Sequence, residues 1–160
     1  MAISFTPIGK VHTDADEADI RSEKIDIEGE LEIFEEFRPA LDGIDGFSHL
    51  LLVCHLDRLR TDQVGPLRVK PRRLTRRGFS LKDLPLLGVF ALDSPTRPNP
   101  IGITLVQLLH REGSRLTVSG LDVFDGTPIL DLKGYQPDYR AESFSLPDWY
   151  QQLMDETGHI

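Results

Sequence analysis

Between residues 25 and 33 apolar side chains take the odd positions (Ile25, Ile27, Leu31, Ile33) and acids the even ones (Asp26, Glu28, Glu30, Glu32). This period-2 alternation predicts a strand with one face in a core and one acidic face in solvent. Phe34, Phe37 and Leu41 then suit a short helical turn limited by Pro39, and Asp42-Gly43 and Asp45-Gly46 end it with turn chemistry. Residues 47–56 are almost continuously apolar and predict a central buried strand. Further strands are expected over 88–91, 103–109, 115–118 and 129–132, with Glu112-Gly113-Ser114 and Asp125-Gly126 as turns. A helical signal runs from Pro147 through Trp149, Tyr150 and Leu153 and closes at Gly158.

Short strands joined by Gly and Pro turns favour a barrel or sandwich over a βαβ fold. The expected class is mainly β: one small β-barrel domain over 1–160, with a short helix and a C-terminal helical extension over 138–160. The 160 residues, 39% apolar and 8% aromatic, suffice for one core. Residues 61–85, punctuated by Gly65, Pro66, Pro71, Gly78 and Pro85, predict a long mobile loop.

Charge changes the picture once it is divided. The net charge of −8 speaks against a uniformly basic nucleic-acid binder. Residues 58–82, however, hold nine bases (Arg58, Arg60, Arg68, Lys70, Arg72, Arg73, Arg76, Arg77, Lys82) against Asp62 alone, and both flanks are acidic. Such a segment suits phosphate tracking, a solvated loop, or a contact with the acidic flanks of a second copy. Cys54 is the single cysteine, which excludes an intrachain disulfide and favours a reducing compartment. No apolar run has the length of a signal-peptide core or a membrane span, so a cytoplasmic protein is expected.

Two constellations concentrate chemistry. In residues 94–102 (SPTRPNPIG) three prolines in six residues fix φ and remove three backbone donors, which leaves a stiff loop with preset polar groups. Preorganisation of this kind lowers the ordering cost of binding a small molecule, though an ordinary Pro-rich connection has the same composition. In residues 125–135 (DGTPILDLKGY) the strand after the turn is expected to place Ile129, Asp131 and Lys133 on one face, with Asp131 and Lys133 as an acid/base pair or a plain surface contact. His49, His55 and Asp57 share a parity opposite to that of Cys54, which disfavours a metal site and leaves His49 as a structural or pocket residue. There is no P-loop, no G-x-G-x-x-G and no G-x-S-x-G, so the commonest nucleotide folds and hydrolase elbows are excluded.

Taken together the motifs resemble the TsaA-like (TrmO) family. They are Pro7-Ile8-Gly9, residues 41–50 (LDGIDGFSHL), residues 88–91 (GVFA), residues 94–102, and residues 120–135 (GLDVFDGTPILDLKGY), running in family order within 3–137. The resemblance implies a dimeric β-barrel that binds S-adenosylmethionine near the subunit interface without a metal. Its best-known members methylate N6 of threonylcarbamoyladenosine beside the tRNA anticodon. Carried over by position, it assigns the cofactor site to Arg97, Asn99, Ile101, Gly102, Ile103, Asp125, Gly126, Thr127 and Pro128, and the pocket reading of His49 adds that residue to the cofactor-site candidates. Asp131, Lys133 and Tyr135 are assigned to catalysis, and Asp93, Arg72, Arg73, Arg76 and Arg77 to the methyl acceptor.

Departures from the family pattern are local. Leu92-Asp93 replaces a usual Thr-Arg, Asp57 stands where a histidine is frequent, and Gly134 replaces a common proline. A Pro-Arg-Gln-Pro element is absent between Val11 and Ile25. The 160 residues hold no counterpart of the extra C-terminal domain of longer tRNA-acting members. Methyl transfer requires alignment of the nucleophile and a base for the acceptor's proton, and Asp131, then Asp93, are the candidates. Two other readings stay open: methylation of a small metabolite, and a non-catalytic cofactor-binding module.

Overall fold

A computed structural model describes residues 2–22 and 26–157 of the chain. Strands β1 (Gly9–His12), β2 (Glu28–Ile33), β3 (His49–His55), β6 (Ile101–Glu112), β7 (Arg115–Ser119) and β8 (Pro128–Gly134) close into a barrel. Their order around the circumference is β1-β2-β7-β6-β3-β8, and every neighbouring pair is antiparallel. A two-stranded ribbon of β4 (Arg68–Val69) and β5 (Leu87–Gly88) stands apart from it. Helix α1 (Glu17–Arg21) follows β1, and helix α2 (Asp148–Thr157) lies in the C-terminal region.

Alternation along each strand builds the core. Leu31 and Ile33 of β2 point inward, where they meet Leu50 and Leu52 of β3, Val106 of β6 and Leu116 of β7, all nearly or fully buried. The acids of β2 stay outside, as the period-2 pattern predicts, although Ile25 lies outside the described residues. Two glycines allow the close approach of backbones: a Cβ at Gly9 would lie 2.2 Å from the Glu32 carbonyl oxygen, and one at Gly29 would lie 2.3 Å from that of His12.

Several expectations are corrected. The apolar run 47–56 forms a strand buried on one face only, because His49, Leu51, Val53 and His55 alternate outward while Leu50, Leu52 and Cys54 point into the barrel. Residues 61–85 are not one structureless loop. They contain 3₁₀ turns at Thr61–Gln63 and Arg72–Arg77 and the strand β4, and the Lys70 Nζ donates to the carbonyls of Leu81 and Lys82. The strand expected over 88–91 ends at Gly88 and turns into a 3₁₀ segment, Val89–Ala91. The 3₁₀ turn Glu35–Leu41 accommodates Pro39, and α2 starts after Pro147 as predicted, with Gly158 outside the described residues.

Candidate active site

The antiparallel order sends the C-terminal ends of β1 and β3 and the N-terminal ends of β6 and β8 to one mouth of the barrel. Both chemistry-bearing loops therefore arrive there: residues 94–100 lead into β6, and residues 120–127 lead into β8. The long basic segment leaves from the same rim, after His55.

The proline-rich loop forms one wall of a cleft of about 350 Å³ lined by Phe90, Ala91, Leu92, Asp93, Arg97, Ile101 and Ile103. Arg97 folds back into its own loop, where Nη1 donates to the carbonyls of Leu92 (2.6 Å) and Ser94 (3.3 Å). Its role in the free protein is thus to hold the wall that carries Asp93. The Asn99 carbonyl accepts from the Ile101 N–H, and Gly102 approaches Leu56 so closely that a Cβ would lie 2.9 Å from Cδ2.

The second loop is clamped to β1. The Gly126 N–H donates to the Val11 carbonyl, the Val11 N–H donates to the Thr127 carbonyl, and the Thr127 side chain is buried. Gly126 has φ +80°, a left-handed conformation that a side chain would strain. Arg58, the first residue of the basic segment, donates to the Asp125 carbonyl at 2.6 Å, and its guanidinium lies 4.9 Å from the Phe124 ring centre.

Asp122, on the same loop, is a site residue that sequence reasoning did not assign. It accepts a short hydrogen bond from the Thr104 hydroxyl of β6. The residue keeps an exposed surface, but partial desolvation of its carboxyl pushes it above the usual range, the Thr104 bond opposes that shift, the Asp93 charge adds to it, and the Arg73 charge opposes it. Asp122 thus ties the 120–127 loop to β6 through Thr104. The only sequence signal for it was its place in the motif of residues 120–135. Burial first, then Asp122 and Asp57, push the nearby Cys54 thiol up to about 12, so it stays protonated and inert.

On the outer face of β6-β3-β8, register aligns Ile103, Val53 and Asp131 in one row and Leu105, Leu51 and Lys133 in the next. At about 4.8 Å per strand, Asp131 lies roughly 10 Å across the sheet from the cleft residue Ile103. Its Oδ2 pairs with Lys133 Nζ at 2.9 Å, and its Oδ1 accepts from the Leu132 N–H. Hydrogen bonding to Asp131 raises the Lys133 ammonium above the ordinary lysine value. Ile129 does not share this face. A bulge shifts the register between Val53 and Cys54, so Ile129 points into the core beside Cys54.

His49 and Tyr135 sit towards the opposite end. The Tyr135 N–H donates to the His49 carbonyl, the Tyr135 ring packs 6.0 Å from that of Tyr139, and His49 Nδ1 lies 2.9 Å from the Ser48 hydroxyl. Along β8, Tyr135 is roughly 13 Å beyond Asp131. Arg72, Arg73, Arg76 and Arg77 gather on one 3₁₀ turn, and Arg77 also reaches the Met154 sulfur of α2. Among the described residues, no group of three or more His, Cys, Asp or Glu is placed to hold a metal ion, and no helix is long and apolar enough to cross a membrane.

Residues 11–141 match the family model described as the tRNA-methyltransferase O N-terminal domain. The chain is 38% identical over 156 residues to a protein of Pyrococcus abyssi named a probable S-adenosyl-L-methionine-binding protein, covering 95% of this chain and 78% of that one. It is 39% identical over 127 residues to a tRNA (adenine(37)-N6)-methyltransferase of Mus musculus, covering 78% of this chain and 27% of that one. A solved structure described as TrmO superposes with a TM-score of 0.71 at 30% identity, over 92% of this chain and 64% of that one. The chain therefore spans about a quarter of the length of the mouse enzyme and just under two thirds of the solved structure.

Proposed function

The chain belongs to the tRNA-methyltransferase O N-terminal domain family, and from that premise we propose that it transfers a methyl group from S-adenosylmethionine to N6 of a modified tRNA adenosine, threonylcarbamoyladenosine. The observation that carries this reading is the convergence at one barrel mouth of the cleft, the clamped turn 125–128 and the basic segment. The donor set fits the cofactor. A ligand with an adenine ring, ribose hydroxyls and positive sulfonium and ammonium groups needs an apolar wall and carboxylates, and the cleft offers Phe90, Ile101 and Ile103 with Asp93, while Asp122 and Asp125 lie on the loop 120–127 of the same mouth. The cofactor, when bound, supplies an electrophilic methyl group.

Residues of the chain do the rest. Arg97 keeps the cleft wall in place, and Thr127 and Gly126 keep the turn docked on β1. Asp131, held by Lys133 and the Leu132 N–H, is the proposed acceptor for the proton that the adenosine nitrogen loses. Arg72, Arg73, Arg76 and Arg77 supply phosphate contacts on the rim.

The working form in this reading is a cytoplasmic homodimer. Phe90, Ile103 and Leu105 are 79%, 66% and 48% exposed, the first two within the lining of the cleft. The proposed contact with a second copy is this face, with the Asp131–Lys133 pair at its edge. Mass spectrometry of tRNA nucleosides from cells lacking the protein tests the reading. Loss of methylated threonylcarbamoyladenosine is expected. An unchanged nucleoside profile would move the acceptor to a small metabolite, a reading that the Asp93 carboxylate in the cleft favours.

A further inference from the structure

The turn ahead of β8 is gripped from two sides, and one grip comes from the first residue of the basic segment. The Thr127 N–H donates to the Phe124 carbonyl at 3.2 Å, so residues 124–127 form a β-turn whose central peptide joins Asp125 to Gly126. Turn types I and II differ by a flip of this peptide, and the φ of +80° at Gly126 is the value that the type II orientation requires. The N–H edge of the peptide is held by β1, since the Gly126 N–H donates to the Val11 carbonyl at 2.8 Å. Its carbonyl edge is held by Arg58, whose Nη2 donates to the Asp125 oxygen at 2.6 Å.

The Arg58 guanidinium has further ties at this place. Its Cζ lies 4.9 Å from the Phe124 ring centre, Arg21 of α1 lies 5.4 Å from the same ring, and Glu17 of α1 pairs with both arginines, at 3.6 and 3.1 Å. Other bases of the segment bond elsewhere: Arg60 to the Asp62 carboxylate, Arg68 to the Leu86 carbonyl, and Lys70 to the carbonyls of Leu81 and Lys82. Arg58 follows the end of β3 closely and is 67 residues from Asp125 in sequence, so closure of the barrel brings the two together.

We propose that Arg58 is a positioning residue for the cofactor turn: its guanidinium fixes the Asp125–Gly126 peptide in the orientation that receives S-adenosylmethionine, and it is not a phosphate contact. The inference rests on the reading of residues 125–128 as part of the cofactor site. A hydrogen bond from a charged donor to a carbonyl is stronger than one between neutral groups, and the cation over the Phe124 ring adds to it. A turn held in its binding orientation before the ligand arrives costs less to order on binding. The Thr13 N–H, at 3.2 Å from the Asp125 carboxylate, holds the side chain of that residue, whereas Arg58 holds its peptide. The basic segment is thereby divided by function: Arg58 serves the cofactor, and Arg72, Arg73, Arg76 and Arg77 serve the phosphates.

Calorimetric titration of the full chain with S-adenosylmethionine, and tRNA binding measured over a range of salt, test this. Wild type, Arg58→Ala, Arg58→Gln, Arg58→Lys, Asp125→Ala and Gly126→Ala are compared, with thermal melts of each. Arg58→Ala is expected to bind S-adenosylmethionine about three- to tenfold more weakly, as for one charged hydrogen bond, and to keep the wild-type salt slope for tRNA. Arg58→Gln loses the cation and carries the same comparison if the alanine variant does not fold. Arg58→Lys keeps a cationic donor and should recover part of the affinity. A lower salt slope in Arg58→Ala would place the guanidinium on a phosphate and overturn the proposal. Wild-type cofactor affinity in Arg58→Ala, with Asp125→Ala and Gly126→Ala weakened, would overturn the role of Arg58 and leave the cofactor turn standing. Wild-type affinity in all three would overturn the reading of the turn, and the inference with it.

Discussion

The two ends of the barrel are built from the same strands and do different things. At the mouth, chain segments of 8 to 45 residues leave and re-enter between strands, and arginines on them pair with carboxylates on them, as in Arg58–Glu17 and Arg60–Asp62. At the opposite end β6 and β7 are joined by Gly113 and Ser114 alone, and the remaining connections tie down locally. Arg111 bonds Asp45 and the Leu41 carbonyl, and Gly134 lies so close to Phe47 that a Cβ would meet its ring at 2.7 Å. The opposite end also has a cleft, of about 290 Å³ between Phe47 and Arg111, but the loops of residues 94–100 and 120–127 and the basic segment all lie at the mouth. Site residues in a small barrel follow from strand direction, since antiparallel order decides which loops share an end.

Five changes probe that contrast. The largest effect belongs to the core that both ends share: Leu52→Ala should lower stability by about 2–5 kcal/mol in denaturant unfolding, disturbing both ends together. Next, Arg97→Ala should weaken S-adenosylmethionine binding about tenfold by calorimetry, because Leu92 and Ser94 lose a charged donor and the cleft wall loosens. Its counterpart at the closed end, Arg111→Ala, should cost about 1 kcal/mol in stability and leave that binding unchanged, which sharpens the division. If both variants impaired binding alike, the separation of the two ends would fail.

A smaller effect concerns the rim. Replacing Arg72, Arg76 and Arg77 by Ala should reduce the slope of log tRNA affinity against log salt by a little under one for each phosphate no longer neutralised, with S-adenosylmethionine affinity kept. The smallest effect is at Glu32. Its carboxyl is held below the unfolded value, so it contributes stability above about pH 4.3, lost as pH falls through the lower folded value. Glu32→Gln should therefore show a shallower loss of melting temperature between about pH 7 and about pH 3 than wild type does.

Much of this was legible in the residues. The acid and apolar alternation of β2 is a local pattern, and it survives in the fold because one face of a barrel strand is always buried. The Asp131–Lys133 pair was legible for the same reason, since i and i+2 share a face. Ile129 was not, because a bulge is a property of two strands and leaves no period in one of them. The turns and ribbon inside residues 61–85 depend on β4 pairing with β5, which sets Arg68 opposite Gly88, 20 residues on. Nor did residue types alone reveal the His12–Glu32 or the Thr104–Asp122 bond, each formed between groups distant in sequence. The separation of His49 and Tyr135 from the turn follows from topology: one opens β3, the other follows β8, and both lie away from the mouth.

Methyl transfer by this chain at that mouth can be measured directly. Purified protein is incubated with S-adenosylmethionine and tRNA carrying unmethylated threonylcarbamoyladenosine, and the digested nucleosides are weighed by mass spectrometry. A threonylcarbamoyladenosine heavier by one methyl group is expected, abolished or strongly reduced in Asp131→Ala. Cofactor binding without any methylated nucleoside would contradict the proposed function.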